Sequence, residues 1–230
     1  MSKNIHVAIA STTSLPGQLD RNLGQIADFA KQAGDDAVDL LLTPELSASG
    51  YGGFPEVEHP LEPSVPFSPD VNEMKRQPSE LQFNFFEVKG VRSVISICAD
   101  AGISDINSYF ERNGVELLLG PCGAGGKREN RVTTADLHTE EGRARYLENF
   151  EKLSSPGRDV VDCIQYRRAL AAVNLCGYDG RMHHHAGHGM IINAMGEVEG
   201  FFHGIPNLDR QRPMYASGTV DVEDRLGNLS

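Results

Sequence analysis

Two short apolar runs on either side of a polar, helix-length segment constrain the fold more than any other feature of this sequence. The first run covers residues 91–97 and leads into Cys98, and the second covers residues 114–121. This pattern predicts a buried strand, a crossover helix and a second strand. Cys98 would then lie at the carboxyl end of a strand, where open α/β sheets bind ligands and a helix start favours a thiolate. We interpret Cys98 as a candidate nucleophile, or alternatively as a small apolar residue that closes a buried strand.

Further periodic segments surround this unit and predict an α/β protein. Residues 190–193 and 198–202 together are typical of a β-hairpin. The other strands are predicted at residues 5–10, 39–44, 81–88, 171–177 and 219–222, and helices at 19–33, 134–153 and 159–170.

Glu45 follows the strand predicted at residues 39–44, so its carboxyl group is a candidate for acid–base chemistry. The alternative is a surface glutamate with no chemical role. Residues 55–78 are rich in proline and have no regular period, which predicts a loop. This loop would be either a lid over a binding site or a surface excursion.

Size and charge exclude several classes of function. The chain has 230 residues and a net charge of -11, and 40% of its residues are hydrophobic. We expect a single domain spanning residues 1–230, with no nucleic-acid partner because phosphate binding requires clustered basic residues. No apolar run is long enough for a signal peptide or a membrane span, so we expect a cytoplasmic protein without a membrane partner. The four cysteines have neither metal-ligand nor disulfide spacing and should be reduced.

A histidine cluster at His183, His184, His185 and His188 suggests a metal site. Consecutive side chains point in different directions, however, and no second set of acids or thiols accompanies them at ligand spacing. We therefore favour a flexible, partly exposed loop and expect no metal.

Five segments, in this order, resemble the nitrilase (carbon-nitrogen hydrolase) superfamily. Residues 41–51 look like its glutamate segment, residues 97–100 like its nucleophile segment and residues 114–121 like the strand that follows; residues 168–177 and 187–197 are weaker matches. The resemblance covers most of the chain and favours the nucleophile interpretation of Cys98. It implies an α-β-β-α four-layer sandwich.

The resemblance also implies a Glu-Lys-Cys triad that cleaves amides, nitriles or carbamoyl groups without a cofactor. Cys98 would attack the substrate carbon and form a thioester, and Glu45 would act as general base. A lysine ammonium would stabilise the negative charge that develops on the substrate. The backbone amide of Ala99 is a further donor in the substrate-binding set, to which Tyr51 of the glutamate segment also belongs.

The lysine is where this sequence departs from the family. Cys98 follows Glu45 by only 53 positions (98 − 45), and the shortened part is where members of the family carry the catalytic lysine. Lys75 is the best candidate because it precedes Cys98 in the expected order. Lys89 is a poorer one because it belongs to the turn before the nucleophile strand.

Two classes of function remain open from the sequence. The leading hypothesis is a hydrolase of non-peptide carbon–nitrogen bonds that acts on a small amide, carbamoyl or nitrile substrate. The alternative, suggested by the shortened lysine region, is a catalytically impaired nitrilase-like protein with a binding or assembly role. In either case the resemblance implies a homodimer or a higher homo-oligomer.

Overall fold

The computed structural model describes residues 3–50, 83–127, 135–154, 156–178, 183–204 and 212–222. Lys75, Tyr51 and the whole proline-rich segment at residues 55–78 lie outside these residues. None of the described helices is long and apolar enough to cross a lipid bilayer.

Two sheets form the centre of the fold. The first has the strand order β12-β1-β2, and the second has the order β11-β10-β7-β5-β4-β3. A small third sheet has the order β6-β9-β8. The strands are β1 Lys3–Ser11, β2 Leu40–Leu42, β3 Phe85–Val88, β4 Val91–Ile95, β5 Leu117–Cys122, β6 Gly125–Lys127, β7 Ala169–Asn174, β8 Cys176–Tyr178, β9 His183–Ala186, β10 His188–Ile192, β11 Val198–His203 and β12 Met214–Val222.

Several neighbouring strands run parallel, so their carboxyl ends lie side by side. In the second sheet, β4 runs parallel to β5 and β5 runs parallel to β7. In the first sheet, β1 and β2 are parallel. The carboxyl ends of β4, β5 and β7 therefore meet at one edge of their sheet, as the crossover pattern of the sequence predicts.

Within the described part of the chain, four α-helices complete the layers: α1 Leu19–Asp35, α2 Ile106–Arg112, α3 Glu140–Ser154 and α4 Pro156–Tyr166. Helix α1 contacts the first sheet, where the ring of Phe29 stacks on Tyr215 of β12. Helix α2 packs on the second sheet through Phe110, and α4 packs on it through Cys163. The α-β-β-α sandwich expected from the resemblance is therefore confirmed.

The main core lies between the two sheets. In β5, Leu117 and Leu119 face this core, whereas Leu118 packs beneath α2 and α4. Because β5 is buried on both faces, apolar residues follow one another in this strand and do not alternate with polar ones. The buried core residues are Ile5, Val7, Ile9, Leu42, Val91, Leu117, Leu119, Ala169, Ala171, Val173, Ile191, Phe202, Val220 and Val222.

Two local predictions were wrong. The helix predicted over 159–170 ends at Tyr166, and Ala169 already belongs to β7, because its small apolar side chain joins the core between the sheets. The flexible loop predicted at His183–His188 is instead β9 and the start of β10. Strand pairing with β6 and β8 orders β9, and the partner strand β6 lies far away in the sequence, so the pairing of β9 with β6 leaves no local pattern.

The space around two glycines predicts opposite effects on stability when each is changed to alanine. A Cβ atom on Gly189 of β10 would lie 2.5 Å from the Phe202 ring and 2.7 Å from Ile9 Cδ1. Gly189→Ala should therefore destabilise the protein by about 1–3 kcal/mol. Gly24 is exposed within α1 with no atom near its Cβ position, so Gly24→Ala should stabilise by about 0.5–1 kcal/mol. Urea denaturation of both variants would measure these changes, and equal effects would contradict the packing described.

Candidate active site

Cys98 and Glu45 meet at the carboxyl ends of strands from different sheets. Cys98 follows β4 of the second sheet, and Glu45 follows β2 of the first. The Cys98 sulfur and the Glu45 carboxyl group are near enough for each to shift the pKa of the other. The fold thus brings together the two residues that sequence analysis singled out from separate strand ends.

Cys98 sits in a strained turn. Its φ angle is 42°, in the left-handed region that side chains other than glycine rarely adopt. Asp100 stabilises the turn: its carboxylate accepts a hydrogen bond of 2.8 Å from the Ile97 N–H, and its own N–H donates to the Ile97 carbonyl at 2.9 Å. This geometry fixes the direction in which the sulfur leaves the backbone.

The turn that carries Glu45 is equally well held. The Ser14 hydroxyl donates to the Ser47 carbonyl at 2.7 Å, and the buried Asn22 amide donates to the Ala48 carbonyl at 2.9 Å. Helix α1 supplies Asn22, so the first layer of the sandwich anchors the glutamate turn. The Glu45 side chain is half-buried and projects from a rigid support.

The surroundings of Cys98 favour its thiolate. The pKa of Cys98 is lowered to about 6, first by the Cys122 thiol and then by the Gly123 N–H, Glu45 and the Ala99 N–H, while burial opposes the shift. The helix that begins at Cys98 is a 3-10 helix of only five residues. The main cause is therefore a neighbouring thiol rather than the helix start that we expected from the sequence.

The surroundings of Glu45 favour its neutral form. Burial raises the pKa of Glu45 to about 7, and the negative charges of Cys98 and Asp100 add to the shift, against the Gly123 N–H. Within the described part of the chain, Glu45 Oε2 is buried and has no hydrogen-bond partner. The lowered pKa of Cys98 and the raised pKa of Glu45 both favour a thiolate beside a neutral carboxyl group.

Sequence analysis did not single out Cys122, the last residue of β5. Its Sγ atom lies 3.4 Å from Cys98 Sγ and donates a hydrogen bond to it, and it accepts one from the Ala124 N–H at 3.3 Å. Proximity to Cys98 and burial raise the pKa of Cys122, which keeps it a thiol. The position of Cys122 at the end of the neighbouring parallel strand was the clue in the sequence.

A cavity of about 290 Å³ opens beside the two sulfur atoms and runs under α2 and α4. Cys98 and Cys122 line it, and Arg168, Asn107 and Asp162 form a polar network in its wall. The Arg168 guanidinium donates to Asn107 Oδ1 at 2.6 Å, and the Asn107 amide donates to Asp162 Oδ2 at 3.2 Å. The site thus combines a reactive sulfur with space for a small polar molecule.

The other candidate residues from the sequence either lie away from Cys98 and Glu45 or fall outside the described residues. Lys89 forms an ion pair of 2.8 Å with Asp39, at the amino end of β2 and away from the site. Burial of His188 in the cavity wall lowers its pKa to about 4. Over the described ranges, no group of three or more His, Cys, Asp or Glu residues could hold a metal ion. Lys75 and Tyr51 fall in the undescribed segment and stay predictions.

Solved structures of an amidase share this architecture over nearly their whole length. A cysteine-to-alanine mutant of the amidase from Nesterenkonia sp. AN1 in complex with butyramide has a TM-score of 0.66 and 17% identity, with 95% of this chain and 91% of that chain covered. A second cysteine-to-alanine mutant structure, described as an amidase from the nitrilase superfamily, has a TM-score of 0.63 and 16% identity, with 96% and 92% covered. The chain has the nitrilase fold.

A third structure with the nitrilase fold is a glutamate-to-leucine mutant of the same amidase. It shows covalent addition of the acetamide moiety of fluoroacetamide at the active-site cysteine. Its TM-score is 0.66 at 18% identity, and 99% of this chain and 94% of that chain are covered. No protein-family model matches the sequence, and no curated protein matches it either.

Proposed function

We propose that the protein hydrolyses the carbon–nitrogen bond of small amides, with Cys98 as nucleophile and Glu45 as general acid and base. The observation that carries this proposal is the Cys98–Glu45 pair, in which the pKa of Cys98 is lowered to about 6 and that of Glu45 is raised to about 7, with Cys98 in the wall of a cavity. Such opposed shifts are typical of groups that exchange a proton during catalysis.

Acylation begins with Cys98 as thiolate and Glu45 as carboxylic acid. The sulfur attacks the amide carbon, a C–S bond forms, and negative charge collects on the substrate oxygen. When this intermediate collapses, the C–N bond breaks and the leaving nitrogen takes the Glu45 proton, so that ammonia departs. A thioester on Cys98 and a Glu45 carboxylate remain.

Deacylation restores the starting state. Glu45 takes a proton from water, the resulting hydroxide adds to the thioester carbon, and the C–S bond breaks. The products are a carboxylic acid and the Cys98 thiolate, and Glu45 is again protonated. Each turnover thus consumes one water and one amide and releases one acid and one ammonia, with no cofactor.

Backbone donors and a lysine complete the proposed site. The Ala99 N–H follows the nucleophile directly and faces its sulfur, which suits it to stabilise a substrate oxyanion. We assign the second, cationic donor to Lys75 and a substrate contact to Tyr51. We also propose that residues 1–230 form one domain that assembles as a homo-oligomer, which light scattering after size exclusion would test.

Several facts support a small amide as substrate. Structures that share the fold bind butyramide or react with fluoroacetamide at a cysteine. A cavity of about 290 Å³ suits a molecule of a few heavy atoms. The direct test is ammonia release from butyramide, acetamide, small nitriles and small carbamoyl compounds. Release from none of these by correctly folded protein would overturn the proposal.

Alkylation by iodoacetamide separates a hydrolase from a catalytically impaired binding protein. We expect Cys98 to be alkylated with a midpoint between about pH 6 and 7, because its pKa is lowered to about 6 and that of the neighbouring Glu45 is raised to about 7. Cys163 and Cys176 should not react in the native protein, since burial raises their pKa values to about 12 and about 11. Peptide mass spectrometry would report each cysteine. A midpoint above pH 8 at Cys98 would favour the binding or assembly role.

A further inference from the structure

We propose that Cys122 is a positioning residue of the site, whose S–H group donates a hydrogen bond to the Cys98 sulfur and holds it as an oriented thiolate. This inference rests on the proposed function, for which Cys98 is the nucleophile. Its basis is the distance of 3.4 Å between the two Sγ atoms, with Cys122 as donor, beside a shared cavity.

The fold builds this contact from adjacent strand ends. Strands β4 and β5 are parallel neighbours, with Ile95 paired to Leu119, so the segments that follow them leave the sheet side by side. Cys122 is still paired with Asn174 of β7, which fixes its backbone. The Cys122 side chain therefore reaches the Cys98 sulfur from the neighbouring strand with little freedom to turn away.

A second set of hydrogen bonds orients the Cys122 sulfur itself. The Ala124 N–H donates to Cys122 Sγ at 3.3 Å, and the Ala124 carbonyl accepts a hydrogen bond of 2.9 Å from the amide of Asn174. Asn174 is fully buried, so this anchor is protected from water. Because the Cys122 sulfur accepts from the backbone on one side, its proton is directed toward Cys98 on the other.

The charge distribution assigns the donor and acceptor roles. Two thiolates 3.4 Å apart would repel each other strongly, so only one of the two sulfurs ionises at moderate pH. Cys122 is the sulfur that stays protonated, since Cys98 and burial both raise its pKa. Cys98 is also the one beside Glu45, which lowers the pKa of Cys98 further.

The neutral Cys122 thiol stabilises the Cys98 thiolate both before acylation and at the end of deacylation. In the free enzyme the hydrogen bond stabilises the attacking thiolate. In the thioester the sulfur is a poor acceptor, and the bond forms again as Cys98 departs with its electron pair. Among the described residues, the groups that act most strongly on Cys98 are Cys122, Gly123, Glu45 and Ala99.

The test compares Cys122→Ala with Cys122→Ser in the full-length protein. Alkylation of Cys98 by iodoacetamide is followed from pH 4.5 to 9.5 by peptide mass spectrometry, and circular dichroism checks the fold. In Cys122→Ala the midpoint should rise by at least about one pH unit, so that the rate at pH 6 falls by a factor of about 5–10 or more. In Cys122→Ser the hydroxyl still donates, and the midpoint should stay closer to that of the native protein.

Cys176→Ala is the matched control, because Cys176 is a buried cysteine whose thiol faces the Arg212 carbonyl at 3.5 Å. In Cys176→Ala, the pH midpoint for alkylation of Cys98 should equal that of the native protein. An unchanged midpoint in folded Cys122→Ala would overturn the inference and reduce Cys122 to a packing role. Ammonia release separates the two proposals: a raised midpoint without amide turnover in the native protein would contradict the hydrolase alone.

Discussion

Replacing Cys98 with alanine is expected to abolish amide hydrolysis, with kcat falling by a factor of about 10⁴ or more. The sulfur forms the covalent bond of the proposed mechanism, and no other described group at the site is a second nucleophile, because the neighbouring Cys122 is held as a thiol. The measurement is ammonia release under saturating substrate. Binding should persist, and calorimetry with butyramide would give a Kd for the inactive variant.

Cys176→Ala provides the control, since it removes a buried thiol of the same size away from the cavity. It should keep kcat within about twofold, with only a small loss of stability. Cys98→Ala turnover at a rate comparable to that of the control would show that the reaction does not use this sulfur, and the hydrolase mechanism would have to be abandoned.

Replacing Glu45 with glutamine is expected to lower kcat by a factor of about 10²–10⁴ and also to stabilise the protein at pH 8. The amide cannot exchange a proton with the thiol, the leaving nitrogen or water, so both halves of the reaction slow. The gain in stability arises because a partly buried carboxyl group with a raised pKa is unfavourable in its charged form.

The direction of the pH effect follows from linkage. The pKa of Glu45 is about 7 in the folded protein, above its ordinary value of 4.5. Its favourable contribution is therefore complete below about pH 4.5 and is lost as the pH rises through about 7. The full shift corresponds to about 3 kcal/mol, which solvent screening of this half-buried group reduces to about 1–2 kcal/mol. Glu45→Gln should thus exceed the native protein in stability at pH 8 and match it near pH 4.5.

Glu87→Gln is the control for this prediction, because Glu87 is an exposed carboxylate on β3. It should change neither kcat nor the pH dependence of stability. Urea denaturation at pH 4.5, 6 and 8 measures all three proteins. A Glu45→Gln variant that is less stable than the native protein at pH 8 would mean that the carboxylate is well solvated or well paired, contrary to the geometry described.

The sequence by itself determined the strand–helix–strand unit around Cys98, the first strand and helix, and the late hairpin, whereas the order of the layers came from the family resemblance. These features are local, since a strand buried on both faces or a helix with one apolar face leaves its period in neighbouring residues. The sequence also predicted that Cys98 and Glu45 each follow the carboxyl end of a strand. In the structure, Cys98 follows β4 and Glu45 follows β2, and each of these strands is parallel to a neighbour.

Only the tertiary structure decided which groups meet at those ends. The contact of Cys98 with Cys122, the burial that raises the pKa of Glu45 and the pairing of β9 all join residues that are distant in the chain. The expected helix start proved to be a short 3-10 turn, and the thiolate depends chiefly on a neighbouring sulfur. Proton affinities depend on neighbours within a few ångströms in space, and spacing along one chain does not encode those neighbours.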